Sequence, residues 1–272
     1  MRKWICATLA PAILAAAPAG IAAENGLRFQ WPQGQQAAVS LAYDDALDSQ
    51  LDVALPALDR HGLKGSFYLQ LSNPAVEQRL AEWRAAAAHG HELGNHSLFH
   101  QCSRQAPGHE WVQPHRDLDS TSVAQMRDQV TLANSMLYAI DGRRQRTYTV
   151  PCGDTLAAGV DYLAAIAPAF AAIKVAGAAV TPSMQGLNPH AVGVYAPEGL
   201  SGAQLIALVK QAQQQGSMLN LTFHGVGGDY LRTSAAAHEE LLQYLAANRQ
   251  LVWTDTFLNI MTYVKTHNRG DH

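Results

Sequence analysis

The run Ala37-Ala38-Val39-Ser40-Leu41-Ala42-Tyr43 followed by Asp44-Asp45 sets the reading of the whole chain. Seven small or apolar residues without a charge read as a buried strand, and two adjacent carboxylates close it. Outward from it, strand-like and helical patterns alternate. Residues 50–60 place Leu51, Leu55 and Leu58 on one helical face, Gly65 to Leu71 reads as a second strand, and 75–89 as an alanine-rich helix stopped by Gly90. A short strand, His91 to Gly94, precedes a polar, turn-rich insert from Gln101 to Ser120. A long helix over 121–140 follows, then a strand from Arg146 to Val150 running into Pro151-Cys152-Gly153. Further strands are expected at 170–175, 191–195, 217–223 and 250–254, with helices at 159–166, 202–215, 235–247 and 256–266. Such alternation implies parallel strands joined by helical crossovers, hence an α/β sheet or barrel. Chemistry in these folds gathers at the carboxyl ends of the strands. Asp44-Asp45, His96, Pro151-Cys152 and His224 each follow closely after an expected strand.

The 272 residues, 48% hydrophobic and 15% charged, suit one large domain. Residues 1–23 read differently: a basic start at Arg2-Lys3, an alanine-rich apolar stretch, then Gly20-Ile21-Ala22-Ala23 before Glu24. That order is a secretory signal, with a retained anchor as the alternative; Pro11 and Pro18 interrupt the stretch and leave it short for a membrane span. The expected mature protein is therefore a single domain, 24–272, secreted or periplasmic and not membrane-bound. Loss of Arg2 and Lys3 from the 19 basic residues leaves 17 against 22 acidic. Without a basic block, nothing calls for nucleic acid as a partner. Of three cysteines only Cys102 and Cys152 survive cleavage, an even count in an oxidising compartment, which favours a disulfide over two separate buried thiols.

His96-Ser97-Leu98-Phe99-His100 offers two histidines four apart, which on a helical turn would face one ion. In a chain with 12 histidines the spacing alone is weak, and a polar helix start capped by Asn95 would look the same. Asp44-Asp45 supplies the complement, since a divalent cation offsets the repulsion of neighbouring carboxylates. Two histidines and a carboxylate fill three metal positions and leave one open, while the second carboxylate can serve as general base. An acidic turn continuing through Asp48 and Asp52 is the plain alternative. His224 ends Leu219-Asn220-Leu221-Thr222-Phe223 and precedes Gly225-Val226-Gly227-Gly228; opposite a base, it could protonate a departing amine or alcohol.

Taken together these segments resemble the polysaccharide deacetylases of carbohydrate esterase family 4, which share the NodB-homology domain, from about Val39 to Phe257. The family's first motif, usually Thr-Phe-Asp-Asp-Gly, reads here as Ala42-Tyr43-Asp44-Asp45-Ala46; the second, His-Ser/Thr-x-x-His, is intact at His96–His100. The resemblance implies a distorted (β/α) barrel of about seven parallel strands, with Asp44 as base and Asp45, His96 and His100 holding one divalent ion, most simply Zn²⁺. It also implies His224 as acid and the Cys152 backbone N–H as an oxyanion contact. The implied reaction is removal of N- or O-acetyl groups from a carbohydrate. The third motif departs from the family pattern. Its arginine, which orients the base, is replaced by Thr149 in Thr149-Val150-Pro151-Cys152-Gly153, and Arg146, three positions earlier on a strand, faces the other way. The Cys102–Cys152 bridge would tie the metal loop to the oxyanion loop. Asp255 is the one candidate for an acidic partner of His224, and Trp111 and Tyr230 are candidates for a sugar platform. Two rival readings stand beside the enzyme: a catalytically weak carbohydrate-binding protein on the same fold, and a metal amidase acting on a small non-sugar amide.

Overall fold

The computed structural model describes residues 28–268, so the expected signal segment lies outside the described residues. In chain order the elements are β1 (Ala37–Asp44), a π-helical turn (Gln50–Ala54) running into α1 (Leu55–Arg60), β2 (Ser66–Leu69), α2 (Pro74–Gln78), α3 (Leu80–Ala88) and β3 (Glu92–Asn95). There follow α4 (Val123–Asp141), β4 (Thr147–Thr149), β5 (Leu156–Ala157), β6 (Val160–Asp161), α5 (Leu163–Ile166), β7 (Ala172–Ala176) and β8 (Val192–Val194). The last are α6 (Gly202–Gln215), β9 (Met218–Phe223), α7 (Ala235–Ala247), β10 (Val252–Thr254) and α8 (Phe257–His267).

Seven parallel strands run β9-β1-β2-β3-β4-β7-β8, and β8 approaches β9 again through a bridge between Tyr195 and Leu221. The result is a nearly closed, distorted barrel. β10 pairs only with Ala37–Val39 of β1, below the point where β2 begins its pairing at Ala42. Every residue of β1 is buried, as a strand covered on both faces requires. Its outer set, Val39, Leu41 and Tyr43, packs with Leu205, Val209, Leu241 and Leu242 of α6 and α7 in one core. Its inner set includes Ala38 and Ala42, which share a second core with Tyr68, Met218 and Phe257. Tyr68 crosses the interior only because position 94 is glycine: a Cβ there would lie 2.4 Å from its ring.

The long helices begin and end where local chemistry directs. Ser122 with Gln125, and Ser201 with Gln204, form capping boxes at the starts of α4 and α6; Gly142 and Gly216, both left-handed, end them. Two expectations fail. The single helix at 75–89 breaks at Arg79 (φ −117, ψ 27), whose guanidinium turns to Asp48, Asp52 and Glu82. The helix expected over 159–166 is confined to 163–166, because Ala158 and Gly159 both take positive φ and make the two-residue turn of the β5–β6 hairpin. Among the described residues no helix is long and apolar enough to cross a membrane.

Candidate active site

The carboxyl ends of β1, β3, β4 and β9 deliver Asp44-Asp45, His96, Val150–Cys152 and His224 to one cleft of about 840 Å³. His96 and His100 come together differently from the sequence expectation. No helical turn joins them: Ser97 and His100 both adopt left-handed backbone (φ 63 and 52), and the segment folds into a tight loop. Asn95 holds that loop. Its Oδ1 accepts the Ser97 N–H at 2.7 Å, while its Nδ2 donates to Val130 O and Asn134 Oδ1 on α4. Ser97 Oγ then accepts the His100 N–H at 2.9 Å.

Asp45 is the hub. Its Oδ1 lies 3.2 Å from His96 Nε2 and 3.1 Å from His100 Nε2, and both carboxylate and His96 ring are buried. The Asp45, His96 and His100 donor atoms all fall within 4.8 Å of one another. His96 Nδ1 donates to the Thr149 carbonyl at 2.8 Å, which directs Nε2 at Asp45; that nitrogen offers a lone pair once its proton is lost. Asp45 Oδ1 is buried without a hydrogen-bond partner, as is Asp44 Oδ1 beside it. Two imidazole nitrogens and an orphaned carboxylate oxygen on a common point fit a divalent cation. Electrostatics agree. Burial works against the Asp45 carboxylate, but the contacts and charges of His100 and His96 overcome it and hold it well below the ordinary carboxylate range. Burial likewise opposes protonated His96, and the nearby Asp44 and Asp45 outweigh it, raising that imidazole to about 9.

His224 stands across the site, its Nε2 3.8 Å from Asp45 Oδ2. Its proposed partner is elsewhere: Asp255 precedes Thr256, the N-cap of α8, and accepts from Thr256 N and Asn259 Nδ2, because β10 ends short of the cleft. Cys152 lines the cleft in left-handed conformation (φ 56) and is bridged to Cys102, two residues beyond His100. Trp111 (55% exposed) and Tyr230 (53% exposed) stand at its mouth. Tyr230 has a second engagement: its hydroxyl donates to Asp45 Oδ2 at 2.8 Å. Asp48 and Asp52 take no part and pair with Arg79 on the surface.

Gln50 was not singled out from the sequence. Its Nε2 donates to the carbonyls of both Asp44 and His224, fastening the ends of β1 and β9 together. No motif marks it; one glutamine in a π-helical turn carries no periodic signal. Tyr195 and Leu231 also line the cleft and were equally silent. Arg146 faces away from the site, as its strand offset implied, and is paired with Asp141.

Comparison with known proteins agrees with this geometry. No curated protein matches the chain at a significant level. A solved structure titled as a putative polysaccharide deacetylase from Mycobacterium smegmatis superposes with TM-score 0.60 at 17% identity, over 87% of this chain and 92% of that one. The peptidoglycan deacetylase PdaC from Bacillus subtilis gives 0.53 at 17% identity, over 85% and 93%. A family 4 pseudoenzyme from Bacillus anthracis gives 0.51 at 17% identity, over 84% of this chain and 66% of its own. At such identities these likenesses speak for the fold alone. The sequence model described as "Polysaccharide deacetylase" matches residues 32–167, half of the chain and the half that contains Asp44, Asp45, His96, His100 and the bridged cysteines. With barrel, motif order and family match in agreement, the chain belongs to the polysaccharide deacetylase family.

Proposed function

We propose that the protein is an exported, metal-dependent hydrolase that removes acetyl groups from a carbohydrate. One observation carries the reading. Asp45, His96 and His100 converge on one point beside a second buried carboxylate, Asp44, whose Oδ1 has no partner. A binding module has no need of that adjacent carboxylate. A divalent ion held by the three ligands would polarise an acetyl carbonyl and a water molecule. Asp44 would take the proton of the attacking water, and His224 on the far side would return one to the departing nitrogen or oxygen. The Cys152 N–H, on its strained loop, would donate to the developing oxyanion. The Thr149 carbonyl fixes the His96 tautomer, and Tyr230 fixes the Asp45 carboxylate. Trp111 and Tyr230 offer ring faces to a sugar at the mouth.

Acetate release by residues 24–272 is the test, after metal removal and again after zinc restoration, on acetylated chitooligosaccharides, peptidoglycan and acetylated xylan. Zinc-restored release from any of these is expected. Release only from small acylated amines would make the protein an amidase. A second reading, a carbohydrate-binding protein without turnover, draws on Thr149 standing where an arginine is expected and on the pseudoenzyme of like fold. Zinc bound at one per chain with glycan binding and no release would establish it.

A further inference from the structure

The polar, turn-rich insert that follows His100 is a braced rim of the cleft. Asp154 Oδ2 accepts the Ser103 N–H at 2.8 Å, while Asp117 Oδ1 and Asp119 Oδ2 accept those of Arg104 and Gln105 at 3.1 Å. The Cys102–Cys152 bridge and a bond from Leu118 N–H to the Cys102 carbonyl close its base. Two successive turns then form about His109. Its N–H donates to the Ala106 carbonyl, and its carbonyl accepts from the Val112 N–H. Gly108, at φ 80, permits the first turn, and burial of the Val112 side chain pins the second.

This rim presents an imidazole beside an indole. His109 and Trp111 both line the cleft with their rings 5.8 Å apart, and the Trp111 ring lies 6.3 Å from that of His100. His109 Nδ1 is 2.8 Å from the Ser103 carbonyl, which can only accept, so this nitrogen carries a proton. The Asp154 carboxylate, 3.9 Å from the same nitrogen, favours that arrangement. In the neutral ring Nε2 is then an acceptor, and among the described residues it has no partner. A fixed acceptor at the edge of an exposed aromatic face suits a particular ligand: a ring with C–H groups on its face and hydroxyls around it, which is a pyranose. A small acylated amine would use neither feature.

We propose that His109 and Trp111 form a sugar subsite, in which Trp111 underlies a pyranose face and His109 Nε2 accepts a hydrogen bond from one of its hydroxyls. His109 is then a specificity residue that selects a glycan over a small amide. Its part in turnover rests on the deacetylase reading; its part in sugar binding does not.

Two measurements separate these. The first is calorimetric titration of the zinc-loaded protein with oligosaccharides of chitosan, deacetylated peptidoglycan and xylan, which keep the sugar ring and cannot turn over. The wild type should bind at least one. His109→Phe keeps a ring beside Trp111 and removes its nitrogens; it should weaken that binding about tenfold. His109→Gln, whose amide reaches the Nε2 position, should return the affinity to within about threefold of wild type. Unaltered binding in His109→Phe, an equal loss in His109→Gln, or no wild-type binding to any of the three would overturn the subsite. The second is steady-state kinetics on the acetylated forms. His109→Phe should raise KM about tenfold with kcat and zinc content held within about twofold, the mark of lost uniform binding. A fall in kcat or zinc content to match would show a disturbed metal site and overturn the specificity role. Acetate release with KM unchanged would remove the subsite and leave the proposed function standing. Sugar binding that His109→Phe weakens, without any acetate release by the wild type, would do the reverse.

Discussion

Asp44 and Asp45 are neighbours in sequence with opposite fates. Asp45 is enclosed by His96, His100 and Tyr230, whereas Asp44, also lining the cleft, has none of these contacts and a buried Oδ1 without a hydrogen-bond partner. Substitutions should separate their roles. Asp44→Asn should leave zinc at one per chain and lower kcat by about 10²- to 10⁴-fold, the usual worth of a general base. His96→Ala should lose both zinc and turnover, because the metal loses a ligand and the Thr149 carbonyl loses its partner. Zinc content by elemental analysis, paired with acetate release, reads both; near-normal turnover in Asp44→Asn would remove it from the mechanism. Tyr230→Phe deletes only the hydroxyl that donates to Asp45 Oδ2. Loss of such a support to a ligand should weaken zinc binding about 10- to 100-fold in a chelator competition. An unchanged zinc affinity would assign Tyr230 to the sugar alone.

The elements most responsible for the site are its loops. Asp45, Ala46, Ser97, His100 and Cys152 all hold left-handed backbone, and none is glycine. Each such residue costs on the order of 1 kcal/mol or more, which the surrounding packing must outweigh. The Cys102–Cys152 bridge, spanning 50 positions, joins the loop after His100 to the loop of Cys152, with Cys102 Sγ 3.5 Å from His100 Nδ1. Closing a loop of that length stabilises the fold by about 4 kcal/mol in the chain-entropy model. Reduction, or paired Cys102→Ser and Cys152→Ser substitutions, should therefore lower the denaturant midpoint and also weaken zinc binding. A midpoint that falls while zinc affinity holds would confine the bridge to global stability. Two free thiols in exported, unreduced protein would remove the bridge altogether.

At the scale of the whole molecule, the buried titratable groups outside the site set the response to acid. His238 on α7 sits against β1, its Nε2 2.7 Å from the Tyr43 hydroxyl, and burial lowers it from 6.5 to about 4. The unfolded chain protonates this ring first. Its contribution to stability is complete above about pH 6.5 and is lost as pH falls toward about 4. The loss reaches about 3 kcal/mol, the linkage value of that displacement. Urea midpoints measured between pH 7.5 and 4.5 should fall across this window, and His238→Gln should flatten the slope. A slope unchanged in the variant would place the acid sensitivity elsewhere.

How much of this was legible beforehand depends on the range of the interaction. The alternating strands, the capped helices α4 and α6, and the order of the motifs follow from hydrophobic period, caps and glycine stops, all written within a few residues of one another. The candidate ligands were legible for the same reason, since Asp44-Asp45 and His96–His100 are local patterns that need only a strand end to aim them. What the tertiary structure alone decided is pairing across distance: Gln50 joining Asp44 to His224, and Tyr230 reaching Asp45. It also decided local backbone that propensity disfavours, the left-handed turn within His96–His100 and the Ala158-Gly159 hairpin. Lys174 belongs with them. In the sequence it is one charge in an apolar strand; barrel closure encloses its ammonium between Ser40 Oγ and the rings of Tyr68 and Phe257, where water is scarce.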